Sequence, residues 1–97
     1  MILNAQPVAD QLAAFVRERF QISASDANFT YDVHLWEQSY VDSIGVLEIL
    51  AFLEGQFGVR IPEDALFEED RASINGLAGL VAQLSAEVEN GKQLYVT

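Results

Sequence analysis

Apolar residues recur at helical spacing through much of this chain. Val8, Leu12, Phe15, Val16 and Phe20 share one helical face, predicting a helix over Pro7–Phe20 with its proline tolerated in the first turn. A second helix is predicted over Ser43–Phe57, ended by Gly58, which enters the left-handed conformation without strain. Pro62 is suited to open a short third helix through about Glu68, with Ala65, Leu66 and Phe67 as its apolar turn. Ser73 is a fitting N-cap for a fourth, on which Ile74, Leu77, Val81, Leu84 and Val88 form one stripe. Residues 90–97 lack periodicity and are expected to be a flexible tail. The pattern predicts an all-α fold in a single domain over 1–97: a four-helix bundle with three longer helices and one short, its core over about residues 5–88.

The connection from Gln21 to Asp42 is long for a compact bundle, and such a loop must be packed or functional. Phe29, Tyr31, Val33, Leu35, Trp36 and Tyr40 equip it for packing, so it is expected to lie pinned across one end of the bundle. The alternation from Phe29 to Leu35 also permits a strand, for which Leu94–Val96 would be the conceivable partner. The loop is the preferred reading, because one isolated strand pair is marginal.

The predicted second helix has two apolar faces. At about 100° per residue, Val46, Ile49, Leu50, Leu53 and Phe57 cluster as the core stripe. Ile44, Leu47 and Ala51 fall elsewhere, flanked by Glu48 and Glu54, with Ser43 near the same edge. Scattered surface apolar residues are ordinary. A cluster rimmed by charge has the composition of a docking site instead.

Composition narrows the classes of partner. Fifteen acidic residues against five basic ones give a net charge of −10, which disfavours nucleic acid and anionic membrane surfaces. A partner with a basic docking surface is the electrostatic complement. Half the residues are apolar, yet no stretch reaches the roughly 18 needed to span a bilayer. With no secretory signal and no cysteine, a cytoplasmic monomer is expected.

Candidate chemistry centres on Ser43. No G-x-S-x-G elbow surrounds it, and the single His34 would have to act as base from the long loop, so a hydrolase is disfavoured. Capping the helix is one role for this serine; serving as the substrate of a docked enzyme is another. A calcium loop can be traced through Asp26, Asn28, Thr30, Asp32 and Glu37, but Tyr31 occupies the place of its turn glycine. No metal site and no catalytic residue are expected.

Asp42-Ser43-Ile44 resembles the D-S-L/I prosthetic-group motif of acyl carrier proteins. The resemblance continues through Glu48, Leu53, Phe57-Gly58, Ile61-Pro62 and Glu63-Asp64, and with the helix spacing it spans essentially residues 5–88. It implies that Ser43 receives 4′-phosphopantetheine from coenzyme A through a phosphopantetheinyl transferase that brings its own Mg²⁺. The arm's thiol then bears an acyl or aminoacyl thioester, which supplies thiol chemistry to a chain without cysteine. Asp42 would help present the serine. Ile44, Leu47, Glu48, Ala51 and Glu54 would be read by partner enzymes: the transferase, an acyl- or aminoacyl-activating ligase, and a downstream acyltransferase or synthase. A space lined by Leu50, Ile61, Leu66 and Val81 would shelter a short acyl chain.

The chain also departs from familiar branches of that family. Gly45 stands where fatty-acid carriers have a second aspartate, and Phe52-Leu53-Glu54-Gly55-Gln56 holds one acid where they have several. Tyr40-Val41-Asp42 lacks the paired glycines of peptide-synthetase carriers. These features point to a stand-alone carrier of a specialised pathway (secondary-metabolite, cell-surface or aminoacyl). A fatty-acid synthesis carrier, or an acidic helical adaptor that is not a carrier, are the alternatives.

Overall fold

The structure is a computed structural model, and it describes residues 4–66, 68 and 71–89 of the 97. The described residues form four helices and no strand: α1 (Ala5–Arg19), α2 (Ser43–Phe57), α3 (Glu63–Leu66) and α4 (Ile74–Glu89). The fold is therefore the all-α four-helix bundle that the periodicity predicts, with one short helix among three longer ones. The proposed tail, 90–97, lies outside the described residues.

The helix ends follow local chemistry. α1 begins two residues before the predicted Pro7, which falls in the first turn, where its missing N–H leaves no bond unmade. α2 has the predicted bounds, and Gly58 closes it at φ 67°, its N–H donating to Glu54 O. α3 ends at Leu66, short of the expected Glu68, and Arg71 N donates to Glu68 O at 2.9 Å. Ser73 caps α4 as expected, its Oγ accepting the Gly76 N–H at 2.9 Å.

The core gathers Val8, Leu12 and Val16 of α1, Val46, Ile49 and Leu53 of α2, Leu66 of α3, and Ile74, Leu77 and Val81 of α4. α1 and α4 make the most extensive helix–helix approach, and buried alanines on both (Ala9, Ala13 and Ala78) suit close packing. Two members of the predicted α2 core stripe, Leu50 and Phe57, are only half-buried against this core. Phe52 joins from the side, stacked on Phe15 with ring centroids 4.2 Å apart. The α2 contact surface is thus wider than the stripe.

The long loop is pinned, as its aromatic and aliphatic content predicts. Phe29, Leu35 and Val41 are buried in the core. Leu35 N donates to Ala72 O and Asn75 N to Tyr31 O, both at 2.9 Å, tying the loop to the start of α4. Tyr31 OH donates to Asp10 Oδ1 of α1 at 2.6 Å, and Asn75 Nδ2 to Asp32 Oδ1 at 2.8 Å. Residues 29–35 form turns rather than the alternative strand, because their backbone groups bond locally and to residues 72 and 75.

Candidate functional site

Asp42, in extended backbone with φ −93° and ψ −177°, is the N-cap of α2, and its Oδ1 accepts the Gly45 N–H at 2.8 Å. Ser43 is therefore the first helical residue and not the cap. It is exposed, and its hydroxyl makes no hydrogen bond to a described residue. The cap role considered from sequence belongs to its neighbour. The serine is left with an accessible hydroxyl at a helix N-terminus, where backbone dipoles favour bound negative charge.

An open cleft of about 480 Å³ adjoins it, with Asp42, Ile44 and Gly45 on either side of Ser43 in sequence and Arg19, Phe20, Ser39, Tyr40 and Glu48 completing the wall. Gly45 is there for space: an added Cβ would lie 2.7 Å from Val41 Cγ1 and 2.8 Å from Phe20 Cε1. The glycine lets the Phe20 ring close against the first turn of α2. At the edge of the cleft, Arg19 holds Glu48 by two contacts, Nε–Oε1 at 2.7 Å and Nη2–Oε2 at 2.8 Å. Oε1 is buried and meets Nε as an ion-pair contact rather than an aligned hydrogen bond.

The other sequence-predicted site residues divide. Among the described residues, Ile44 and Leu47 are the large apolar side chains left most open, 63% and 49% exposed, and Ala51 is exposed too. Glu48 and Glu54 are half-buried with partners inside the molecule: Glu48 with Arg19, and Glu54 through Oε2, which accepts the Ile61 N–H at 2.8 Å. Of the expected acyl shelter, Ile61, Leu66 and Val81 are buried in the core and Leu50 is half-buried against it. Arg19, Phe20, Ser39 and Tyr40 were missed as site residues, since they come from α1 and the loop and no sequence spacing links them to Ser43.

His34 does not line the Ser43 cleft. Its Nδ1 accepts the Glu37 N–H at 3.1 Å, and its ring lies edge-on to Trp36. Two of the traced calcium ligands are occupied internally: Asp26 accepts from Asn28 N and Tyr40 OH, and Asp32 from Asn75. Among the described residues no group of three acidic, histidine or cysteine side chains is arranged to hold a metal. None of the described helices is long and apolar enough to cross a membrane.

A family model described as the phosphopantetheine attachment site matches residues 10–81. This chain belongs to that family. Its members bind 4′-phosphopantetheine covalently on a serine, and membership supports a carrier role. Among curated proteins, no sequence matches this chain significantly. The residues of this carrier fit the group. An exposed, uncommitted hydroxyl stands at a helix N-terminus without acidic residues in its first turn, beside a cleft that contains a guanidinium.

Proposed function

We propose that this carrier bears its 4′-phosphopantetheine on Ser43 and delivers an acyl or aminoacyl cargo among partner enzymes, without catalysing a reaction itself. The observation that carries the reading is the position of Ser43. It is exposed, released from capping by Asp42, and followed on its own helix by exposed Ile44 and Leu47. In the attachment step the Ser43 oxygen attacks the pantetheine-side phosphorus of coenzyme A and forms a phosphodiester. The bond to the nucleotide half breaks, and the hydroxyl proton passes to a base of the transferase. When bound, the arm supplies a thiol that holds cargo as a thioester. Asp42 acts by fixing the turn that presents Ser43, and no base from this chain is required.

Ile44, Leu47 and Ala51 form the apolar centre of the partner-reading surface, with Glu48 and Glu54 at its rim. Both rim acids have internal partners, so this surface offers less uncompensated charge than its composition suggests. Gly45, closed under Phe20, leaves no room for a further acidic side chain there. Both features support a stand-alone carrier read by a dedicated ligase and a downstream acyltransferase or synthase in a specialised pathway. They weigh against a fatty-acid synthesis carrier with a strongly acidic face.

Incubation with a broad-specificity phosphopantetheinyl transferase, Mg²⁺ and coenzyme A should add one phosphopantetheine mass to the wild-type protein and none to Ser43→Ala. Modification that persists in Ser43→Ala removes Ser43 as the site. A wild type that stays unmodified favours the adaptor reading. Loading of the holo form across a ligase panel then identifies the cargo class.

A further inference from the structure

Among the described residues, Arg19 is the one basic residue in the wall of the cleft beside Ser43. It is the last residue of α1, and its side chain is half-exposed. Glu48 fixes it from one side through Nε and Nη2, and its guanidinium carbon stands 5.7 Å from the centroid of the Phe20 ring. That ring is itself seated against Gly45. A positive group is thereby held in the wall of a cleft that also takes in Asp42 and Ile44, the two neighbours of Ser43 in sequence, in a chain whose net charge is −10.

A phosphodiester on Ser43 would enter a wall that already contains two carboxylates, Asp42 and Glu48. Like charges gathered in one cleft oppose one another unless a cation lies between them. A guanidinium has five N–H donors in a planar fork, and Glu48 engages only Nε and Nη2. It can therefore hold Glu48 and a second anion together. The cleft's volume, about 480 Å³, falls within the roughly 300–1,000 Å³ typical of small-molecule sites. Its wall mixes an aromatic ring with hydroxyl and charged groups, which suits an arm built of a phosphodiester, amides and short alkyl links.

We infer that this cleft is the resting seat of the prosthetic arm, with Arg19 binding the phosphodiester while Glu48 keeps its grip on the same guanidinium. The inference rests on Ser43 as the attachment site. It places the arm against the end of α1 and the long loop, rather than along the α2–α3 side near Ile61 and Leu66.

The test begins with ¹⁵N-labelled protein converted to the holo form with transferase and coenzyme A and checked by intact mass. No mass gain overturns the attachment reading and the seat with it. A mass gain leaves the seat to be decided by spectroscopy. The phosphorus resonance of the wild-type holo protein should be displaced from that of a modified peptide spanning residues 40–46. Arg19→Gln should lose that displacement while mass and circular dichroism stay unchanged. Conversion from apo to holo should also move the amides of Phe20, Tyr40 and Gly45 and the Arg19 side-chain Nε–H signal. The same phosphorus resonance in wild type and Arg19→Gln overturns the proposal. So do amide changes centred on Ile61 and Leu66. Should Arg19→Gln fail to fold, Glu48→Gln decides, because it keeps the guanidinium and weakens its competitor. A larger phosphorus displacement there supports the seat, and an unchanged one overturns it.

Discussion

The ring edge of Phe20 lies so close to Gly45 that a Cβ on the glycine would stand 2.8 Å from Cε1 and 2.9 Å from Cζ. Alanine at 45 gains about 1 kcal/mol in helix propensity but overpacks against Phe20 and buried Val41, which typically costs about 1–3 kcal/mol. The expected outcome for Gly45→Ala is a net loss of about 1 kcal/mol by denaturant titration. In a Phe20→Ala background that loss should shrink. An Ala variant as stable as wild type would show that the ring swings aside at little cost.

Asp42 and Ser43 are neighbours with separable roles. Asp42→Ala removes the acceptor for Gly45 N and should lower stability by about 1 kcal/mol. Ser43→Ala removes an exposed hydroxyl and should stay within about ±0.5 kcal/mol while abolishing modification. Thermal melts and intact mass on the two variants check both statements.

Ile49 and Leu47 lie two residues apart on α2 but in opposite environments, 1% and 49% exposed. Ile49→Ala should cost about 2–5 kcal/mol through the cavity it leaves. Leu47→Ala should leave the melt within about ±0.5 kcal/mol of wild type and slow loading by the transferase or ligase. Half-buried Leu50 should fall between them. Loading rates unchanged in Leu47→Ala count against this face as the partner surface.

Glu54 separates surface function from internal structure. Its carboxylate accepts the N–H of buried Ile61, so Glu54→Ala leaves that donor without its partner. A loss of about 1–3 kcal/mol is expected, measured by denaturant titration. A residue acting only in docking would instead leave the unfolding midpoint unmoved.

Tyr31 sets a limit on the alkaline side. Its hydroxyl donates to Asp10, and that bond, then burial, then the Asp10 charge raise its pKa above the usual value of about 10, with Arg17 opposing. Because the folded state holds this proton more tightly than the unfolded chain, its contribution is complete below about pH 10. It disappears as pH rises through the raised folded value. Melting temperature should therefore fall above pH 10 more steeply in wild type than in Tyr31→Phe. Parallel curves for the two proteins would remove Tyr31 from the account.

By itself the sequence determined the helices and the serine. Spacing at i, i+3 and i+4 and the residues suited to helix ends report on the nearest turns of chain, so α2 and its Gly58 terminus, the Ser73 cap and the motif at Asp42-Ser43-Ile44 could all be read directly. The same local logic is imprecise within one turn, which is why the cap passed from Ser43 to Asp42 and Leu50 proved half-buried. Tertiary structure alone decided what lines the cleft beside Ser43. Arg19 and Glu48 are 29 positions apart, and neither side chain's pattern names the other. The path of the long loop was decided by bonds from Leu35 to Ala72 and from Asn75 to Tyr31, because backbone donors and acceptors take whatever partner folding brings within reach. Gly45 shows the difference most plainly: in sequence it is a missing aspartate, and in the fold it is the space that a phenylalanine ring requires.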